Sequence, residues 1–200
     1  MSSLRIGLIG YGLFGAHHAA AIAKTPGAEL RAIAVPSEKS RQAASVAHPG
    51  AAIHAEAREL LARDDIDAVV VVVPNRLHAE IGLAVLESGR HLLLEKPMAL
   101  ELEDCSRLLA AAERKSLTLA VGHELRCSSL WGGVKDLIDQ GAIGEPQAVL
   151  VELSRFPYRQ GSDGWRYDAA RVGNWVLEEP IHFFDLARWY LTSAGEPTSI

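Results

Sequence analysis

A short apolar stretch, Leu4-Arg5-Ile6-Gly7-Leu8-Ile9, runs directly into Gly10-x-Gly12-x-x-Gly15 and then into the helix-forming stretch Ala16–Ala23. No other feature limits the fold of this chain so strongly. Each glycine is there for a physical reason. The first permits a tight turn, the second lets the backbone approach a pyrophosphate, and the third lets helix and strand pack closely. The N–H groups at the start of the following helix, aided by its dipole, bind the anion. A bare GxGxxG says little, but here a strand precedes it, a helix follows, and a second strand, Glu29–Val35, arrives at βαβ spacing. Gly10, Gly12, Leu13, Phe14 and Gly15 therefore form a candidate nucleotide site.

The alternation continues for 122 residues. Arg5–Ile9, Glu29–Val35, Ile53–His54, Ala68–Val73, His91–Leu94 and Leu117–Val121 read as strands. Gly15–Lys24, Ser37–Ala47, Ala57–Ala62, the stretch from Asn75 to Ser88, and Leu102–Arg114 read as helices. Ser37 and Asn75 are candidate N-caps, and Gly89 a C-cap. The β-branched run Ala68–Val73 is of the kind buried on both faces in a parallel sheet. This alternation predicts a doubly wound α/β domain over residues 1–122. After a boundary near Val121–Glu124 the pattern changes. Leu130–Asp139 reads as a helix ending at Gly141, Gln147–Ser154 as a long strand, Arg155–Asn174 as a polar and aromatic stretch, and Ile181–Tyr190 as a helix. Residues 123–200 read as the start of a second α/β domain, cut short where a further strand begins.

Composition narrows the classes of function. Of the 200 residues, 48% are hydrophobic and 22% charged, enough apolar material for one large core or two small ones. The net charge of −5 argues against nucleic acid or an anionic membrane as the main partner. Cys105 and Cys127 stand at no metal-ligand spacing and suit a reducing compartment. Met1–Ser3 leaves no room for a signal peptide, and the Val69–Val73 run is too short to cross a bilayer. The expectation is a cytoplasmic protein. His17, His18, His48, His54 and His91 form no ligand cluster, so no metal is expected.

Glu95-Lys96-Pro97 follows the strand His91–Leu94, at the carboxyl end where open α/β sheets bind ligands. Pro97 restricts the backbone of Lys96, and a lysine beside a nicotinamide can hydrogen-bond a substrate hydroxyl and lower its pKa. The tripeptide alone would pass for a surface pair before a turn; its position in the fold reverses that reading. Pro74-Asn75-x-x-His78, Val121-Gly122-His123-x-x-Arg126, Gly141-x-x-Gly144 and His182-x-x-Asp185 complete an ordered set.

In that order and spacing the chain resembles the glucose–fructose oxidoreductase / inositol dehydrogenase / rhizopine catabolism (Gfo/Idh/MocA) family over essentially its whole length. The resemblance implies an N-terminal Rossmann domain and a C-terminal α/β domain with a large, open, mostly antiparallel sheet. It also implies NAD(P)-dependent oxidation or reduction of a carbinol of a sugar, cyclitol or related polyol. Lys96 and His182 are the implied catalytic pair, with Glu178 in Glu178-x-x-x-His182 taking the place of the family's aspartate. An i,i+4 spacing brings a carboxylate near an imidazole, where it fixes the tautomer and supports the charged ring. Pro74, Asn75, His78, Glu95, Lys96, Trp165 and Arg166 are the further implied cofactor-cleft residues.

The sequence departs from the family pattern at Val172-Gly173-Asn174-Trp175, at Glu178 itself, and at Pro180 in place of glycine. Trp175 and Pro180 narrow and stiffen the implied pocket wall, pointing to a substrate other than the common sugars. Ser37 stands where an NAD-selective member carries a carboxylate for the ribose 2′-OH. With Lys39 and Arg41 nearby this leans the choice toward NADP, although Glu38 sits among them. Family members commonly pair through the C-terminal sheet, and Val149, Val151 and Leu153 lie on one side of the predicted strand, so a homo-oligomer is expected. Two other readings stay open: a glycoside hydrolase of the same fold that returns its hydride within each cycle, and a non-catalytic nucleotide-binding sensor.

Overall fold

In the computed structural model, runs without polar alternation become the strands of one sheet. Val69, Val70 and Val71 are all buried, as a strand covered on both faces requires. Residues 3–154 and 162–199 are described, in two compact units, Met1–Gly122 and His123–Ile200. The first unit contains β1 (Leu4–Ile9), α1 (Leu13–Lys24), β2 (Ala28–Ala34), α2 (Glu38–Ala47), β3 (Ala52–His54) and α3 (Ala57–Leu61). It continues with β4 (Ala68–Val71), α4 (His78–Glu87), β5 (His91–Leu94), α5 (Leu102–Arg114) and β6 (Leu119–Val121).

The strand order is β3-β2-β1-β4-β5-β6, and every pairing is parallel. The chain winds outward from β1 to β3, then crosses back to β4 and winds the other way. The reversal opens a crevice outside the carboxyl ends of β1 and β4. Leu8, Ile33 and Val70 pack one face with Ala19 and Ile22 of α1 and Ala44 of α2. Val69, Val71, Leu92 and Leu94 pack the other with Leu86 of α4 and Leu108 of α5. Near the amino ends of the strands, Arg5 forks onto Asp67 at 2.7 and 3.1 Å. Arg31 and Arg63 converge on Asp65 at 2.9 and 2.7 Å. The Arg5 guanidinium and backbone N–H hold the Asp67 carboxyl down at about 2.

Two expected details change. Asn75 does not cap the fourth helix: it is buried and opens a 3-10 turn, Asn75–Leu77, whose Leu77 N–H donates to the Pro74 carbonyl at 2.8 Å. The helix then starts at His78 without a side-chain cap. The fourth and sixth strands end up shorter than the apolar runs that predict them.

The second unit is helical among its described residues. A 3-10 turn, Glu124–Cys127, leads to α6 (Ser129–Asp139), where the Ser128 hydroxyl accepts from Leu130 N–H at 3.2 Å. A 3-10 turn at Ser162–Tyr167 precedes α7 (Ala169–Val172), α8 (Trp175–Glu178) and α9 (Pro180–Tyr190). α6 and α9 are joined by an edge-on Trp131–Phe183 pair at 6.2 Å and by Tyr190 Oη donating to the Trp131 carbonyl at 2.8 Å. The expected strand Gln147–Ser154 is not one here. Its residues join no ladder, and Leu150 is 94% exposed. A lone strand leaves its N–H and C=O groups unpaired, and the described residues offer it no neighbour. The expected antiparallel sheet is therefore absent from the described residues, where the only sheet is the parallel one. Most of the predicted polar stretch before Asp163 lies outside the described residues.

Candidate functional site

The glycine loop sits at the carboxyl end of β1, beside β4. Gly10 has φ +97°, donates its N–H to Ala34 O at 2.8 Å, and leaves no room for a side chain: a Cβ there would lie 2.0 Å from Val72 O. A Cβ at Gly15 would lie 2.3 Å from Gly10 O, so α1 can seat against the loop only without one. Gly12 is different. Its backbone is extended and a Cβ would meet nothing within 4 Å, so the protein's own packing does not demand a glycine there. Gly12 is also the N-cap of α1, which has no side-chain cap and no acidic residue in its first turn. Open space over a bare helix start fits a bound anion and keeps repulsive charge away from it. Leu13 and Phe14, 69% and 43% exposed, form an apolar lip beside it.

At the end of β2, Ser37 is exposed and caps α2, its hydroxyl accepting from Ser40 N–H at 3.4 Å. Arg41 folds back onto the strand end, donating to the carbonyls of Val35 and Pro36 at 3.2 and 2.5 Å and pairing with Glu38. Gln42 also donates to Glu38, at 3.1 Å. Arg41 and Gln42 together hold the Glu38 carboxyl below its ordinary range. Lys39 is exposed.

On the other side of the crevice, Pro74 and Asn75 follow β4, and Glu95-Lys96-Pro97 follows β5 with a cis Lys96–Pro97 peptide. His78 is 1% exposed, with Nδ1 at 2.5 Å from the Pro97 carbonyl and Nε2 at 2.9 Å from that of Val73. Burial pushes its pKa below the usual histidine value, against the pull of the two carbonyls. Glu95 is buried, and its Oε1 lies 2.7 Å from His18 Nε2. Lys96, between them, is half-buried. Sequence reasoning missed His18. The only local hint was the buried carboxylate at a strand end, which needs a partner; nothing short-range says that the partner lies 77 residues away.

In the second unit, Glu178 and His182 are both buried, but they do not share a helix. Glu178 ends α8, Glu179 breaks the chain with φ −126° and ψ −55°, and α9 begins at Pro180. Glu178 thus stands on the approach to the helix that carries His182, across a corner made where Pro180 cannot continue the preceding helix. Arg166 Nε lies 3.8 Å from Glu178 Oε2, and the Arg166 guanidinium stands 5.4 Å over the Trp165 ring. The His182 ring meets His123 edge-on at 6.5 Å. Asp185 accepts both Arg126 bonds at 2.7 and 2.6 Å and lies 3.9 Å from His123 Nδ1. Trp175, half exposed, and Asn174, whose side chain accepts from Leu177 N–H at 3.0 Å, form the turn before Glu178. Among the described residues no cluster of His, Cys, Asp and Glu is placed to hold a metal, and no helix is long and apolar enough to cross a membrane.

Comparison with known proteins bears on both units. Residues 4–123 match the model of an oxidoreductase family with an NAD-binding Rossmann fold, GFO_IDH_MocA, and residues 132–200 match the GFO/IDH/MocA C-terminal domain. The chain is 36% identical to a 1,5-anhydro-D-fructose reductase of Ensifer adhaerens over 136 residues, 66% of this chain and 40% of that protein. It is 31% identical to inositol 2-dehydrogenase 3 of Saccharopolyspora erythraea over 192 residues, 94% of this chain and 54% of that one. The crystal structure of a probable dehydrogenase from Thermotoga maritima superposes with a TM-score of 0.82 at 27% identity, covering 94% of this chain and 55% of that one. The chain spans about half the length of the curated relatives it matches.

Proposed function

The chain belongs to the Gfo/Idh/MocA oxidoreductase family, and from that premise we propose that the protein is a nicotinamide-dependent dehydrogenase or reductase. Its substrate is a carbinol, or the matching ketone, of a sugar, cyclitol or related polyol. The observation that carries this reading is the open cradle at Gly12 on the same sheet rim as Lys96. The named activities of the fructose-derivative reductase and the inositol dehydrogenase support the substrate class.

Backbone N–H groups of the Gly12–Gly15 turn hold the pyrophosphate, the Leu13–Phe14 lip borders the cofactor, and Ser37 borders the adenosine ribose. A bound nicotinamide would supply the hydride donor or acceptor for the substrate carbon. Lys96 donates a hydrogen bond to the substrate oxygen, and His182 takes or returns the hydroxyl proton. Glu178 orients His182 and supports its positive charge, while Trp165 and Arg166 wall the site. Loss of the carboxylate at position 37 admits NADP as well as NAD, with NADP favoured, because Arg41 is already anchored beside that strand end. The second unit opens the family's C-terminal sheet domain, and Val149, Val151 and Leu153, the last two of them exposed, become buried when protomers pair; a monomeric mass for the whole protein at micromolar concentration would overturn the pairing.

The test is turnover of a polyol identified from a broad screen, followed through the nicotinamide absorbance. Lys96→Ala and His182→Ala should each abolish turnover while cofactor still binds. Unchanged turnover in either variant overturns the assignment. Turnover without net change in the cofactor would point to the hydrolase reading instead.

A further inference from the structure

Lys96 is flanked by two residues that are each tied to a distant histidine. On its amino side, the Glu95 carboxylate is buried, meets His18 Nε2 of α1 at 2.7 Å, and lies against the start of the turn after β6. A Cβ at Gly122 would stand 3.0–3.3 Å from three atoms of that carboxyl group, so the space there is fitted to it. On its carboxyl side, Pro97 is fully buried and its carbonyl faces His78 Nδ1 at 2.5 Å, with the other ring nitrogen on Val73 O at 2.9 Å.

We propose that His18 and His78 are positioning residues for Lys96, and that Glu95 and His78 serve this clamp rather than contacting cofactor. The proposal rests on the reading of Lys96 given above. A lysine has four rotatable side-chain bonds, and the backbone beneath it decides where that search begins. Fixing the peptide groups on both sides sets the direction of the Cα–Cβ bond.

A buried carboxylate holds its place only with a partner, so Glu95 stays at this spot because His18 presents Nε2–H to it. That assignment fixes the His18 tautomer, with Nδ1 turned away from Glu95. The charges of Glu95 and Lys96 both act on His78, and both residues belong to the clamp. His18 also lies about one turn beyond Gly15 on α1, the helix whose N-cap is Gly12. The clamp therefore ties the anion-binding end of α1 to the strand end that carries Lys96.

The test uses the whole protein with bound NADPH and a readout independent of turnover: competitive acetylation of Lys96, followed by mass spectrometry, with Lys24, Lys39 and Lys115 as internal references. His18→Leu should change the relative acetylation rate of Lys96 at least threefold and lower kcat at least tenfold, while the cofactor Kd stays within threefold. His18→Gln, which retains an N–H donor near the same place, should return both readouts to within a factor of two to three.

His18→Leu leaves a charge unpaired and risks misfolding, so the double variant His18→Leu/Glu95→Leu is included. Replacing both partners of a part-buried hydrogen bond by apolar groups of similar size is nearly neutral or stabilising, yet here it removes the clamp. It should melt no lower than the parent and still show the altered Lys96 acetylation. An unaltered Lys96 rate in a folded double variant overturns the clamp. If the rate changes but Lys96→Ala leaves turnover intact, the clamp stands and the catalytic reading of Lys96 falls.

Discussion

Replacing Gly12 by alanine separates folding from binding in a way that the other two loop glycines do not permit. The backbone at Gly12 is extended, with φ −86° and ψ −161°, and a Cβ meets nothing within 4 Å. Alanine restricts the unfolded chain and so gains about 0.4–1 kcal/mol. It is a poorer N-cap than glycine and loses roughly the same amount. The two offset to within about 1 kcal/mol, which moves the melting temperature of a chain this size by no more than roughly 2–4 °C. The new methyl group would stand where an anion approaches the start of α1. Losing one charge-assisted hydrogen bond to that anion costs about 1.5–3 kcal/mol, or roughly 10- to 150-fold in Kd. Gly10→Ala behaves oppositely: the positive φ costs about 1–2 kcal/mol, and the 2.0 Å clash with Val72 O adds overpacking strain of about 1–3 kcal/mol. Thermal melts and titration of nicotinamide fluorescence on both variants decide the matter. If Gly12→Ala binds NADPH as tightly as the parent, or melts as low as Gly10→Ala, the anion does not cross Gly12 and the reasoning fails.

Further outcomes follow from other parts of the first unit. Ser37→Asp should shift the ratio of cofactor affinities toward NAD, because the new carboxylate accepts from a ribose 2′-OH and repels a 2′-phosphate; an unchanged ratio would show that Ser37 does not border the ribose. Glu38→Gln should move the ratio toward NADP by releasing Arg41 from its ion pair, and a move toward NAD would count against Arg41 as the phosphate partner. Asp67, held at about 2 in the fold against about 3.9 unfolded, contributes stability that is complete above about pH 4. That contribution is lost as pH falls through the folded value. Urea midpoints between pH 5 and pH 2 should therefore fall less steeply in Asp67→Asn than in the parent, and equal slopes would contradict the assignment.

The first unit is legible because its signals are local and agree with one another. Val69–Val71 and Leu92–Leu94 are apolar without alternation, as strands buried on both faces must be. Positive-φ glycines at Gly27 and Gly89 mark where the chain turns out of α1 and α4. The second unit is harder to read because its determinants are not local. Gln147–Ser154 has the alternation of a strand but no neighbour among the described residues, and alternation cannot supply one. The approach of Glu178 to the helix of His182 is made through a separate short helix and a corner at Pro180, which spacing alone does not describe. His18 and Glu95 meet across 77 residues, a pairing that neither periodicity nor propensity encodes.

Because all six strands point the same way, the sheet has two unlike rims. One carries Gly12, Ser37 and Lys96; the other carries the Arg5–Asp67 fork and the Asp65 cluster. The strand lengths separate them, so substitutions on the two rims share no partners and their effects should add. Redesign of the cofactor rim can then proceed while the ionic rim is tuned for heat or acid tolerance, each without renegotiating the other. An antiparallel sheet, with strand starts and strand ends mixed along every edge, would offer no such division of labour.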